Sequence, residues 1–122
     1  MLVRTRIASN KSPWLARTKP GEIYTVPVSH GEGRFFASEE LIRKLAENGQ
    51  IAAQYVDVDG RPSMDVRANP NGSVLAVEGI TSPDGRIFGK MGHSERAGRG
   101  LYKNVSGRYD MGMFASAADY FR

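Results

Sequence analysis

Stretches rich in β-branched and apolar residues, separated by turn residues, predict five short β-strands. In the first stretch, Val3, Thr5 and Ile7 fall on one face and two arginines on the other, which is the alternation of a half-buried strand. The five predicted strands cover residues 2–8, 22–29, 50–58, 73–81 and 86–91. The second of these runs directly into a glycine-rich segment, 30–34, at a strand end where functional loops are common.

Helical spacing occurs in the middle and at the end of the chain. Ser38 is a suitable N-cap, and the two glutamates that follow it complement the helix dipole. Asn48 and Gly49 supply the end of this helix. A four-residue repeat of apolar side chains over 113–121 predicts a second, terminal helix. The apolar stripe of the first helix consists of Leu41, Ile42, Leu45 and Ala46.

Turn residues define the connections between these elements. Ser12 and Pro13 predict one short helical turn that buries Trp14, the only tryptophan. Residues 82–85 predict a hairpin between the last two strands, and 98–110 predict a loop. Because strands and helices do not alternate regularly, we expect an α/β fold with a mixed sheet and few helices, and not a complete doubly wound unit.

The composition fits one modest globular core. The chain has 122 residues, of which 40% are hydrophobic and 25% charged, so it forms one domain or a piece of one. It contains no apolar run of the roughly eighteen residues that a membrane helix needs and no signal-peptide pattern, so we expect a cytoplasmic protein without a membrane partner. The net charge is +4, but the basic residues are scattered, which favours a solvated surface over nucleic-acid binding.

The chain contains no cysteine. This absence excludes a disulfide framework, a thiolate metal site and a cysteine nucleophile supplied by these residues, and it is compatible with a reducing compartment.

The two histidines of the chain are each followed two residues later by a glutamate, as His30 with Glu32 and His93 with Glu95. In an extended backbone, residues i and i+2 project to the same side, so the glutamate can accept the imidazole Nδ1–H and leave Nε2 free as a base. This is the orienting half of a nucleophile–base–orienter triad. Two alternatives stay open: ordinary structural hydrogen bonds, and a zinc or iron site formed by all four side chains.

A longer run of sequence surrounds the second pair. Residues 78–86 and 89–96 together resemble the glutaminase domain of phosphoribosylformylglycinamidine synthase, an ATP-dependent ligase of purine synthesis, in its large single-chain form. Four further segments match the same family in the same order, namely 8–15, 27–35, 54–57 and 69–73. The resemblance therefore covers nearly the whole chain.

The resemblance implies roles for particular residues. His93 is the implied general base and acid, and Glu95 orients it. In the family motif, prolines usually stand where this chain has Gly92 and Ser94, and neither position supplies a catalytic group. The nucleophilic cysteine of the family lies upstream of the matched segments, so we expect this chain to be inactive by itself.

The second motif segment has a less specific implied role. The resemblance places backbone groups around Ser29 and His30 against the amino-acid end of glutamine. An equally acceptable interpretation is a glycine-rich turn with an ion pair between Glu32 and Arg34.

The resemblance also implies an architecture and partners. We expect residues 1–122 to form the C-terminal portion of a class I, flavodoxin-like glutamine amidotransferase domain, with the nucleophile-bearing N-terminal half absent. Its partners are then glutamine and the remainder of the synthase. ATP and magnesium belong to the synthetase domains, and no cofactor is expected in this chain. Sheet edges that the missing half would cover predict self-association of the isolated chain. A non-catalytic docking module is the remaining alternative.

Overall fold

The computed structural model describes residues 2–28, 35–65, 67–92 and 111–120. Its strands are β1 (Leu2–Ile7), β2 (Ile23–Pro27), β3 (Ile51–Val56), β4 (Val77–Thr81) and β5 (Phe88–Lys90). Its α-helices are α1 (Glu39–Glu47) and α2 (Met113–Tyr120), and short 3-10 helices cover Pro13–Leu15 and Val74–Ala76. The five predicted strands and both predicted helices are thus present. The predicted loop 98–110 lies outside the described residues.

The five strands form one sheet in the order β2-β1-β3-β4-β5. The predicted α/β class with few helices is confirmed. The sheet differs from the mixed one that we expected, because all four pairings among the described strands are antiparallel. The cause is the position of β1: it lies between β2 and β3, the two strands joined through α1, and it runs opposite to both. No crossover therefore joins neighbouring parallel strands in this part of the chain.

Apolar side chains pack in two clusters. The larger one covers the face of the sheet that carries Val3 and Val26, and the smaller one joins Leu45 of α1 to the sheet. The larger cluster contains Val3, Ile7, Leu15, Tyr24, Val26, Val28, Ala52, Tyr55, Ala76, Met111 and Met113. The smaller contains Leu45, Ile51 and Val77, with Phe35 and Ile80 packed against it. The sheet is thus the common wall of both clusters.

Helix α1 begins and ends where its sequence predicts. The Ser38 hydroxyl accepts a hydrogen bond from the Leu41 N–H at 3.2 Å. Asn48 is the C-cap, and Gly49 follows with a φ of +67°, a left-handed conformation that glycine adopts without strain. The buried face is narrower than the predicted four-residue stripe, because Leu45 alone is buried. Leu45 is the residue of α1 that packs with Ile51 and Val77 of the sheet.

Helix α2 packs against the first 3-10 turn. The Arg17 guanidinium contacts the Asp119 carboxylate at 2.9 Å, and the rings of Trp14 and Phe114 meet edge to face at 6.2 Å. The predicted burial of Trp14 is wrong in degree: the indole is half-buried, and its Nε1–H donates to the Arg86 carbonyl at 2.9 Å. A tryptophan N–H needs such a partner, which draws the ring towards the surface.

One strand boundary differs from its predicted position. Strand β4 begins later than predicted because Val74–Ala76 forms a 3-10 turn, in which Leu75 and Ala76 have φ values of 53° and 55°. These left-handed conformations cannot continue a strand. Among the described residues, neither helix is long and apolar enough to span a bilayer.

Candidate functional site

The site residues predicted from the sequence, His93, Glu95, Ser29 and His30, lie outside the described residues. So do the other residues of the glycine-rich segment. The strands that lead to them are described: β2 ends at Pro27 and β5 ends at Lys90. The structure therefore shows where the chain leaves the sheet just before residues 29 and 93.

The chain leaves β2 and β5 at the same end of the sheet; these two points are called the strand exits. Because each strand is antiparallel to its neighbour in the order β2-β1-β3-β4-β5, strands β2, β3 and β5 run in the same direction. The chain therefore leaves β2 and β5 at the same end of the sheet. The start of β1 lies at that end too, since Leu2 pairs with Pro27.

Curling of the sheet then brings the two exits into contact. Strands β2 and β5 are the outer strands of the described sheet. Yet a Cβ atom placed on Gly92 would lie only 2.5 Å from Cγ2 of Val26. The backbone at Gly92, just before His93, therefore packs against Val26 near the end of β2, the strand that precedes Ser29 and His30. Sequence patterns predict strand ends but cannot predict that these two ends meet.

A buried ion pair lies at the same contact. Nζ of Lys90 is 3.0 Å from Oε1 of Glu78, and the side chains are 9% and 0% exposed. The same carboxylate oxygen accepts a hydrogen bond from the Gly92 N–H at 2.9 Å. Sequence reasoning missed this pair. The available signal was one charged residue in each of two short, otherwise uncharged strands that pair as a hairpin. The register itself was no guide, because Lys90 lies opposite Gly79, one residue along from Glu78.

A mostly apolar cavity of about 260 Å³ lies beside the ion pair. Phe35, the first described residue after the glycine-rich segment, forms one of its walls, and Met91 forms another. Phe35 is held there by its N–H, which donates to Oγ of Ser73 at 3.0 Å. The cavity therefore lies between the segment that follows residue 34 and the strand that precedes residue 93.

A larger cavity, of about 440 Å³, lies at the start of β1 and the end of β3. Its charged walls include Asp57, Asp65, Arg4 and Arg67. The hydrogen bond from Arg67 lowers the pKa of the Asp65 carboxyl to about 2, and the Arg4 guanidinium donates to the Val58 carbonyl at 3.1 Å. These groups are tied to each other or to the backbone.

Metal ligands are not grouped in the described part of the chain. Among those residues, no three His, Cys, Asp or Glu side chains come together as a metal site. The four ligands of the alternative zinc or iron site, His30, Glu32, His93 and Glu95, lie outside the described residues.

Sequence and structure comparisons identify the class of domain that carries this arrangement. Residues 1–121 match the CobB/CobQ-like glutamine amidotransferase domain, and the chain belongs to that family. Phosphoribosylformylglycinamidine synthase subunit PurQ of Thermomicrobium roseum is 41% identical over 95 residues, covering 78% of this chain and 39% of the relative. The protein of the same name from Synechocystis is 37% identical over 114 residues, covering 93% and 49%.

A solved structure shows the same fold. The structure of PurLQS from Thermotoga maritima contains a chain that matches all of this chain and 47% of its own length, with a TM-score of 0.69 and 23% identity. The chain thus spans less than half the length of these curated relatives and about half of the solved chain. The fold class expected from the resemblance is confirmed.

Proposed function

We propose that this chain supplies the histidine and glutamate of a Cys-His-Glu glutaminase that delivers ammonia to a phosphoribosylformylglycinamidine synthase. The observation that carries the proposal is the common exit of β2 and β5, where Gly92 packs on Val26. The family match and the names of the relatives support the same assignment. The ends of β2 and β5 thus lie side by side, which supports the proposal of one active site.

The proposed chemistry is acyl transfer. A cysteine thiol outside these residues attacks the glutamine side-chain carbonyl, its proton passes to His93, and the C–N bond breaks as His93 protonates the departing ammonia. This leaves a thioester on the cysteine. His93 then takes a proton from water, the hydroxide attacks the thioester carbon, and the C–S bond breaks as His93 returns its proton to the sulfur, which releases glutamate and restores the thiol. Glu95 orients the imidazole and stabilises its protonated form. Backbone groups at Ser29 and His30 hold the amino-acid end of glutamine.

The assembly belongs to the same proposal. Residues 1–122 act as the C-terminal portion of the glutaminase domain, and the nucleophile-bearing half is supplied by other residues. The resemblance pointed to the large single-chain form of the synthase, whereas the relatives are named as a separate subunit. The parent reaction is the ATP-dependent amidation of formylglycinamide ribonucleotide. ATP and magnesium serve the synthetase domains of the parent, in a cytoplasmic enzyme.

Co-production with the nucleophile-bearing half of the domain tests this function. Glutamate release should require both pieces, should be lost on His93→Ala, and should survive Glu40→Gln, a change at an exposed residue of α1. Release by this chain alone, lost on His93→Ala, would contradict the assignment of the nucleophile to other residues. Activity of the assembly that is indifferent to His93 would contradict the triad.

Self-association of the isolated chain is part of the proposal. Strands β2 and β5 each have one partner strand among the described residues. Sheet edges that the other half of the domain would cover tend to find partners when that half is missing. We expect a two-fold dimer, the commonest closed assembly. Sedimentation over a range of concentrations should show it, and a monomer at high micromolar concentration would contradict it.

A further inference from the structure

The carboxylate of Glu78 is the one acidic group that touches the backbone leading to His93 among the described contacts. It is fully buried on β4, and its Oε1 contacts both Nζ of Lys90 at 3.0 Å and the Gly92 N–H at 2.9 Å. The other oxygen, Oε2, is buried and accepts no hydrogen bond within the described structure. Both contacts of this carboxylate are thus made to Lys90, the last residue of β5, and to Gly92, which directly precedes the proposed catalytic histidine.

Glycine at position 92 is a geometric requirement of this contact. A Cβ atom there would lie 2.6 Å from Oε1 of Glu78 and 2.5 Å from Val26. A proline, the residue usual at this position in the family motif, would also lack the N–H that Glu78 accepts. Glycine removes the clash and keeps the donor. The departure from the motif is therefore explained by the buried carboxylate.

The ion pair holds the carboxylate in place. A buried carboxylate is costly unless it is paired and hydrogen-bonded, and Lys90 provides the opposite charge from the neighbouring strand. A charged acceptor forms a stronger hydrogen bond to an N–H than a neutral one does. The peptide group at Gly92 is thereby held more firmly than the pairing of a three-residue strand would hold it.

We propose that Glu78 is a positioning residue for the glutaminase reaction: by binding the Gly92 N–H while paired with Lys90, it sets the place from which His93 acts. The inference rests on the proposed function of His93. It predicts that removing the carboxylate lowers kcat for glutamine hydrolysis by tenfold to about a hundredfold, the order expected when a catalytic group is displaced by about 1 Å. KM for glutamine should change little.

The test uses the complete glutaminase assembly and separates positioning from stability. Glu78→Met with Lys90→Met replaces the pair by apolar side chains of similar volume, which is often neutral or stabilising for a buried ion pair. The Gly92 N–H loses its acceptor, which costs about 1–3 kcal/mol, so we expect the double variant to melt somewhat lower but to be fully folded at the assay temperature while kcat is low. Glu40→Gln, which removes the exposed Glu40–Lys44 pair on α1, is the matched control and should change neither quantity.

Amide hydrogen exchange at Gly92 supplies a readout that does not depend on catalysis. Exchange at this N–H should be slow in the unsubstituted protein and in Glu40→Gln, and at least tenfold faster in the double variant. Unchanged exchange in the double variant would overturn the proposal. So would faster exchange with undiminished kcat, or a kcat that recovers together with the melting temperature. Failure of the proposed function itself would appear separately, as glutamine hydrolysis that survives His93→Ala.

Discussion

The centre of the sheet and its β4–β5 edge are stabilised in different ways. Between β1 and β3, uncharged residues are buried opposite each other, as with Thr5 and Tyr55 or Ile7 and Ala53. At the edge, β5 is three residues long and only half-buried, and the buried group beside it is the Glu78–Lys90 ion pair. Apolar burial is non-directional and tolerates small shifts, whereas a charged hydrogen bond fixes a particular peptide group.

The two regions differ in how accurately their backbone must be placed. Buried side chains at the centre stabilise the fold, whereas β5 at the edge ends just before His93. We therefore expect substitutions at the centre to act on the free energy of unfolding, and substitutions around Gly92 to act on catalysis.

The residue that follows the edge should dominate activity. His93→Ala in the complete glutaminase assembly should lower the rate of glutamine hydrolysis by several orders of magnitude, because members of a triad act as a unit. Glu95→Gln should cost less, since the base remains present. Steady-state measurement of glutamate release compares them. Equal and mild losses would show that the edge does not deliver the catalytic base.

At the centre, Tyr55→Ala should destabilise the fold. Tyr55 is 1% exposed in the larger apolar cluster, and truncating a buried large aromatic side chain costs about 3–5 kcal/mol. Denaturant unfolding gives the free energy of unfolding. Val58→Ala, at an 86% exposed residue just beyond β3, is the control and should change it by less than about 0.5 kcal/mol. Similar effects for both would contradict the assignment of the core.

Two glycines near β5 provide a matched pair at the edge. Gly92→Ala introduces a Cβ atom within 2.6 Å of Glu78 and Val26, so we expect about 1–3 kcal/mol of destabilisation together with a fall in kcat. Gly89→Ala introduces one with no atom within 4 Å and should leave kcat unchanged. Thermal melting measures the change in stability of both variants, and steady-state kinetics measures the change in kcat. Equal kcat values would refute the close packing at residue 92.

The smallest effect concerns Asp65, which belongs neither to the β1–β3 centre nor to the β4–β5 edge. Hydrogen bonds from Arg67 lower its pKa from 3.8 to about 2 in the folded chain. A lowered folded pKa adds stability above the unfolded value, and that contribution is lost as the pH falls from about 4 to about 2. Because the group is exposed, the contribution is small and screened by salt. A carboxyl NMR titration with a midpoint near 3.8 would contradict the Arg67 contact.

Local sequence determined most of the elements. The alternation over residues 2–8, the Ser38 cap and the Asn48–Gly49 stop act over a few residues, so each can be recognised without knowledge of the fold. The turn residues at 82–85 likewise predicted the hairpin before Phe88. The absence of cysteine can be read from the sequence directly. The ordered motifs indicated the glutamine amidotransferase family, which the family match confirms. The roles of His93, Glu95, Ser29 and His30 stay predictions.

Tertiary structure alone decided how these elements meet. The strand order, the antiparallel pairing of β1 with both neighbours, and the contact between Val26 and Gly92 join residues far apart in the chain. The burial of Glu78 depends on the same arrangement, since its charge is tolerable only where Lys90 lies 3.0 Å away. Single-residue patterns carry no record of such distances. The sequence therefore identified the domain family, whereas the curled sheet brought its two strand exits together.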